Sequence, residues 1–399
     1  MNQKPFIAAG IDMGAAHTRC VLCRMDGGRV QFLGAGSTES TGWEKSRIVD
    51  QQAVSECILR SVQQAELAAG VQIETITAGF GGLTVRGANT RSRLDFGRVR
   101  EIEQTDVNRA MKGALRVALA EDRMVLQILP QDFVVDDHPG HRDPRKMMGT
   151  ILEANAHVIM ASIKEHNALV GAVNQKHLSV DETVFDAFAA CYAAGLPENR
   201  PEGFAVLDIG AQSSELVVYF GNALQLASTI GLSGDHFTND IVHFLRIGFA
   251  DAQELKEQFG SVLPESTTRS CFIELPTREG QAGREASRWR INEVLQARAH
   301  QMFALVGREL ERVGMENALS GGLVLTGGGS LLHGMVELAE EELHCPAWRG
   351  LPRGIVSWPE DLNDPAWCTA AGLAKYSARL RTQVDLERQS IGLLGRILR

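Results

Sequence analysis

Two stretches of this chain carry the same strand–turn–strand–turn–strand pattern. FIAAGIDMGAAHTRCVLCRMDGGRVQFLGAG begins at Phe6, and GFAVLDIGAQSSELVVYFGNALQLASTIGLSG begins at Gly203. Each reads as an apolar strand ending in Asp-x-Gly-Ala, a turn of small polar residues, a second strand, a glycine-containing turn and a third strand. The shared motif puts Asp12 and Asp208 at equivalent positions. One such hairpin is a weak constraint, because Asp-x-Gly turns are common. Two in matching context, in separate halves of the chain, point to a duplicated α/β architecture.

Residue types suggest the chemistry. Gly14 and Gly210 let the backbone approach an anion closely, and successive N–H groups in such a turn form an anion-binding concavity. Asp12 and Asp208, one from each half, suit a hydrated Mg2+, which prefers few carboxylates plus waters and substrate phosphates. The expectation is a metal–polyphosphate gripped by two hairpins. A third element points the same way: GGLVLTGGGSLLHGM reads as an apolar strand, the glycines Gly327, Gly328 and Gly329, and a periodic helix SLLHGMVELAEEEL. Strand, glycine-rich turn and helix N-terminus suit approach to a nucleotide. No GxxxxGK[ST] occurs, and no GxGxxG carries the acidic partner of a dinucleotide fold.

Composition narrows the class. A net charge of −9 argues against general nucleic-acid binding, and 44% hydrophobic residues supply a sizeable core. The N-terminus runs directly into a strand-like segment without a cationic or long apolar leader, and no apolar run is long enough to span a bilayer. The body is therefore expected in the cytosol. The seven cysteines are scattered, as in a reducing compartment. Cys20 and Cys23 have CxxC spacing but lie in a strand, where residues three apart face opposite ways. DDHPGHRD (residues 136–143) reads as a solvated loop with no ligand face.

Two Asp-x-Gly hairpins plus a C-terminal strand–GGG–helix resemble the actin, Hsp70 and sugar-kinase superfamily, in which they match the phosphate-1, phosphate-2 and adenosine motifs. Over residues 84–163 the resemblance sharpens. REIEQTDVNRAMKGAL, then VLQILPQDFVVDDHPGHRDPRKMMGTILEANAHVIMAS, is similar to the subdomain inserted in the FtsA family of bacterial actin-like cell-division proteins. The resemblance implies an actin-like (ribonuclease H-like) two-domain α/β ATPase fold with an FtsA-type insert and a C-terminal amphipathic helix. Its expected division is subdomain 1A at 1–83 and 164–200, the insert 1C at 84–163, 2A at 201–237 and 321–375, and 2B at 238–320. A linker at 376–390 and a membrane-targeting helix at 391–399 complete it.

The resemblance also implies ATP with Mg2+ as ligand. The loop Gly10–His17, with Asp12, Gly14, Ala15, Ala16 and His17, would contact phosphate, as would Asp208–Ser214, with Asp208, Gly210, Gln212, Ser213 and Ser214, and Asp12 and Asp208 would manage the metal. Gly234, Gln253 and Lys256 would approach ribose and base, and Gly327–Gly329 the adenosine. The second loop departs from the family's DIGGGT: it reads DIGAQSS, where Gln212 adds bulk near the phosphates. The first, DMGAAHT, lacks the usual Ser/Thr and Lys, and Gln253 stands where relatives often have Glu. These departures suit ATP as a conformational ligand with weak or no hydrolysis. No general base is evident; Glu182 and Asp186 precede a helix and read as caps. In the family, subdomain 2B binds the acidic C-terminal peptide of FtsZ, for which Arg290 and Arg298 are the candidates.

The chain ends IGLLGRILR after the polar stretch 376–390. At about 100° per residue, Ile391, Leu393, Leu394, Ile397 and Leu398 fall within an arc of roughly 160°. Arg388, Arg396 and Arg399 lie opposite, which is the pattern of an interfacial helix on anionic lipid. Ordering so short a segment costs about 1–2 kcal/mol per residue, so one tail binds weakly and many on a polymer bind by avidity. The expectation is a peripheral protein on the cytoplasmic face of the inner membrane at midcell. There it would tether FtsZ, self-assemble into filaments and recruit later division proteins. The rivals are a PilM-like pilus-assembly homologue, which would not need the basic tail, and a small-molecule kinase of the same superfamily, which would need a carboxylate base.

Overall fold

The computed structural model describes residues 6–115, 119–175, 178–194, 203–221, 223–275 and 284–397, with 383–397 by backbone alone. The chain opens with β1 (Phe6–Met13), β2 (His17–Asp26), β3 (Arg29–Glu39), the short pair β4 (Trp43–Glu44) and β5 (Arg47–Ile48), α1 (Gln51–Ala69) and β6 (Thr75–Phe80). Next come β7 (Arg86–Glu101), α2 (Gln104–Ala114), β8 (Arg123–Val135), β9 (His138–His141) and β10 (Met148–Ser162). Then follow α3 (Ile163–Asn174), β11 (Ser179–Phe185), α4 (Asp186–Ala193), β12 (Phe204–Ile209), β13 (Ser214–Phe220) and β14 (Ala223–Ile230). After α5 (Gly234–Leu245), α6 (Phe249–Phe259), β15 (Phe272–Leu275), β16 (Arg284–Ser287) and α7 (Arg288–Arg312) come β17 (Leu323–Thr326), α8 (Met335–Leu343), β18 (Ala347–Arg349) and α9 (Cys368–Ile397).

Contacts divide the chain into two units, Met1–Phe80 with Glu165–Leu196 and Gly350–Arg399, and Gly81–Lys164 with Pro197–Arg349. Each contains a five-stranded sheet of the same plan. In the first the order is β11-β6-β1-β2-β3, and in the second β14-β13-β12-β17-β18. In both, an antiparallel meander of three strands is extended from its first strand by parallel strands. The repeated hairpin is therefore the centre of a repeated sheet. β12 shows why: Phe204, Ala205, Val206, Leu207 and Ile209 are all buried, a run suited to a strand covered on both faces. Only Asp208, near its end, is half-buried.

Within the second unit, residues 81–164 form a separate four-stranded sheet, β7-β10-β8-β9. Ile102, Ala110, Phe133, Val135, Leu152 and Ala154 make a small core beneath α2. The helix, the ILPQDF strand and the returning strand stand where the sequence places them. This sheet reaches β14 through Asn89, whose amide donates to the Gln225 carbonyl at 3.2 Å, and Gln131, which donates to the Leu224 carbonyl at 2.7 Å.

Four expectations need correction. Residues 350–375, expected with subdomain 2A, pack in the first unit. The reason is close backbone packing: a Cβ on Gly10 would stand 2.4 Å from the Ala374 nitrogen of α9, and one on Gly372 only 1.9 Å from the Ala189 carbonyl. Gly10 thus serves helix packing, although it was expected to belong to the phosphate loop. Second, residues 376–390, expected as a linker, continue α9 without a break, and its backbone stays helical to Ile397. The Tyr376 ring packs edge-on against Phe188 and Tyr192, and Arg381 donates to the Ile7 carbonyl at 3.1 Å and pairs with Asp181. The side chains proposed for the membrane face, Ile391, Leu393, Leu394, Arg396 and Ile397, lie outside the described ones, as do Leu398 and Arg399 entirely.

Third, the helix after the glycine run starts at Met335, following a 3-10 turn over Gly328–Leu331. Gly334 takes φ +88°, a left-handed conformation that interrupts the expected helix. Fourth, DDHPGHRD contributes the strand β9, with the Asp136 carboxylate accepting from the Thr150 and Ile151 N–H groups. No cluster of metal-ligating side chains occurs among the described residues. None of the seven cysteines is in a disulfide, and Cys20 and Cys23 are buried in strand β2.

Candidate functional site

In the second unit the Asp208 strand ends in a closed turn. Gly210 N–H donates to the Ser213 carbonyl at 2.9 Å, and a Cβ on Gly210 would stand 2.8 Å from that same oxygen. The turn is tied from the other side by α5, where Gly234 N–H donates to the Gly210 carbonyl at 2.9 Å and Asp235 N–H to the Ala211 carbonyl at 2.8 Å. Gln212 hydrogen-bonds the half-buried Asp235, whose carboxyl is pushed up by burial against the opposing pull of Lys256, His236 and Gln212. The bulk that the sequence introduces at Gln212 is therefore held toward α5.

Lys256 of α6 sits in the same cluster. Its Nζ donates to the Gly234 carbonyl at 3.2 Å, to Thr238 Oγ1 at 2.8 Å and to Gln253 Oε1 at 2.8 Å. Burial pulls its ammonium down to about 8, with Glu257 and Asp235 opposing. The Gln253 amide donates in turn to Glu257. Gln253 and Lys256 thus act as one hydrogen-bonded pair anchored on Gly234.

The three glycines divide their work. Gly327 takes φ +77°, and a Cβ there would fall 2.3 Å from Asp208 Oδ1; one on Gly329 would fall 2.3 Å from Ile209 Cγ2. Gly328 has nothing within 4 Å of its Cβ position. Two glycines therefore allow close packing on the Asp208 strand, and the middle one borders open space. Ser214 is fully buried, its hydroxyl without a partner among the described residues. Its burial at the start of β13 counts against the expected phosphate contact. Asp208, Gly210, Gln212, Ser213, Gly234, Gln253, Lys256 and Gly327–Gly329 are otherwise assembled within one unit.

The first unit carries the matching turn. Asp12 pairs in register with Arg19, and a Cβ on Gly14 would stand 2.9 Å from the His17 carbonyl and 3.7 Å from Asp12 Oδ1. Gly14, Ala15 and His17 are half-buried and Ala16 exposed. Of the two acids considered as caps, Asp186 begins α4 after Phe185, while Glu182 lies within β11 and accepts from the Tyr376 hydroxyl at 3.0 Å. Glu182 caps no helix.

On α7, Arg298 is held bidentately by Asp240 of α5 at 2.6 Å through both Nε and Nη2, and donates to Gln301 at 2.9 Å. Arg290 is largely exposed and stands 3.8 Å from Glu293. Of the two arginines, one is accessible and the other already engaged. A residue that sequence reasoning missed is Glu215, the direct cross-strand partner of Asp208 and 4% exposed. Its signal was a single acidic residue inside the otherwise apolar strand SELVVYF.

Comparison with known proteins places this geometry. Residues 205–372 match the family described as cell division protein FtsA, and residues 82–160 the SHS2 domain inserted in FtsA. The cell division protein FtsA of Pseudomonas aeruginosa is 30% identical over 385 residues, covering 96% of this chain and 90% of the relative. That of Escherichia coli is 27% identical, covering 98% and 95%. Among solved structures, a PilM–PilN type IV pilus biogenesis complex superposes with a TM-score of 0.68 at 18% identity, covering 93% of this chain and 98% of the other. MreB5 of Spiroplasma citri bound to ADP gives 0.58 at 14%, covering 96% and 99%. These likenesses show an actin-like fold. With near-complete coverage of its relatives and the family's own inserted domain, the chain belongs to the FtsA family of cell division proteins.

Proposed function

We propose that this chain binds ATP with Mg2+ and works as a membrane tether for FtsZ filaments, assembling into filaments itself and recruiting later division proteins. The observation that carries the nucleotide reading is the approach of Gly327 to Asp208, which sets the glycine run directly beside the phosphate-2 turn. The solved MreB5 relative carries ADP. The residue types suit the ligand: Gly14 and Gly210 close two equivalent tight turns against the His17 and Ser213 carbonyls, and Asp12 and Asp208 are half-buried carboxylates at the strand ends. Bound there, Mg2+ would neutralise phosphate charge. Asp12 and Asp208 would orient its waters, the Gly210–Ser213 turn would offer N–H groups and the Ser213 hydroxyl, and Lys256 and Gln253 would face ribose and base. Gln212 held toward Asp235 supports ATP as a ligand that sets conformation, with weak or no hydrolysis.

Membrane attachment rests on the amphipathic pattern of 391–399 and partner binding on Arg290 and Arg298. The test is flotation with vesicles containing anionic lipid, with and without the FtsZ C-terminal peptide. The full chain should float and carry the peptide with it. A chain lacking residues 391–399 should stay at the bottom yet retain ATP; if it floats equally well, the tether is elsewhere.

A further inference from the structure

The hairpin that carries the phosphate-2 turn also grips the root of the inserted sheet. Gly82, just before β7, takes φ +106°. Its N–H donates to Glu215 Oε1 at 2.8 Å, and its carbonyl accepts from Thr229 Oγ1 at 2.9 Å. Glu215 and Thr229 are direct cross-strand partners, Glu215 partners Asp208 on its other side, and Asp208 partners Thr326. Direct partners share a face of a sheet. Thr229, Glu215, Asp208 and Thr326 therefore form one polar row, with Gly82 at one end and the glycine run beside the other.

A carboxylate as buried as Glu215 is kept in place by its donors. Besides Gly82 N–H, Glu215 Oε1 accepts from Ser213 Oγ at 3.3 Å, and Ser213 lies in the phosphate turn. A serine hydroxyl has one proton to donate. Given to a phosphate oxygen, that proton is withdrawn from Glu215, and the carboxylate's charge falls more fully on the Gly82 N–H. Charge-assisted bonds of this kind tighten as they are shared less.

We infer that Glu215 is a positioning residue that couples occupancy of the phosphate-2 turn to the hold on Gly82, and through it to the freedom of the inserted subdomain. This rests on the nucleotide reading of that turn. With nucleotide bound the root of the insert is held harder, and without it the insert is looser. Sequence spacing hides this link, because Gly82 and Glu215 are 133 residues apart.

The test is amide hydrogen exchange over residues 81–85 in the full-length chain, with and without a non-hydrolysable ATP analogue and Mg2+. In the wild type the analogue should slow exchange of the Gly82 amide. Glu215→Ala should exchange about ten-fold faster and lose the response to nucleotide, while Glu215→Gln, which keeps an acceptor oxygen, should restore most of it. Ser213→Ala without any nucleotide should reproduce the slowed exchange, which separates the link from nucleotide binding and does not depend on how Glu215→Ala folds. An undiminished nucleotide response in Glu215→Ala, or unaltered exchange in Ser213→Ala, overturns the coupling. A wild type that fails to bind the analogue removes the nucleotide reading and this coupling with it; binding without any change at Gly82 removes the coupling alone.

Discussion

The buried Lys256 makes stability depend on pH in a calculable way. Its ammonium ionises near 8 in the folded chain, against 10.5 for an unperturbed lysine. Below about pH 8 both states carry the proton, and the folded state bears the full cost of a buried charge. Between the two values the unfolded chain binds more protons than the folded one, so stability rises with pH. The stabilisation is complete above the unfolded value and is lost as pH falls through the folded one. With those two constants, the gain from pH 7 to pH 9 is about 1.4 kcal/mol. Other groups titrate over the same range, so the measurement is a difference: urea unfolding of wild type and Lys256→Met at both pH values, in ligand-free protein. Wild type should gain about 1.4 kcal/mol on the variant between pH 7 and pH 9. A difference that stays flat, or moves the other way, would refute the assignment of a buried, readily deprotonated lysine. If Lys256 meets an anionic ligand, the bound state restores its proton, and nucleotide affinity should fall as pH climbs past about 8.

Gly327→Ala forces a side chain into φ +77°, ψ 163° and against Asp208 Oδ1; the backbone cost alone is about 1–3 kcal/mol. A lower melting temperature and weaker binding of a fluorescent ATP analogue should both follow, whereas Gly328→Ala, which meets nothing within 4 Å, should leave the melting temperature close to wild type. Releasing Arg298 by Asp240→Asn should strengthen binding of the acidic FtsZ peptide several-fold in fluorescence anisotropy, since the arginine no longer has to leave an intramolecular partner; unchanged affinity would remove Arg298 from the peptide site. Burial holds the Cys20 thiol well above its ordinary value and pushes Cys23 up to about 12. Both should therefore resist alkylation of the native chain at pH 8 while the partly exposed Cys271 reacts, as peptide mass spectrometry would show.

What the sequence made legible were features written in local pattern. Asp-x-Gly with its flanking strands showed the repeat, because strand and turn chemistry act over a few residues; the common plan of the two sheets follows from it. The insert was visible for the same reason, in the run from α2 through ILPQDF to β10. Long-range packing was not legible. Gly10 looked like part of a phosphate loop because it adjoins one, yet its missing Cβ makes room for α9, which arrives from the far end of the chain. The helix after the glycine run seemed to start at Ser330 because its apolar spacing is already helical there; the left-handed Gly334 resets it. Residues 376–390 looked like a linker because they are polar, but polarity does not distinguish an exposed helix from a coil. Glu215 was overlooked because its partner Gly82 lies 133 residues away and meets it only in the fold.

The seating of α9 on β1 has a mechanical consequence. The helix whose backbone runs on toward the C-terminal segment is keyed by Ala374 and Ala370 against Gly10, two residues before Asp12 on the same strand. Arg381 adds a clasp to the Ile7 carbonyl of that strand. A tug on the end of the chain is thus transmitted along a stiff rod to the strand bearing Asp12, with no slack segment among the described residues to absorb it. If the chain's end is moored to lipid, tension from a constricting filament would be felt at Asp12 first.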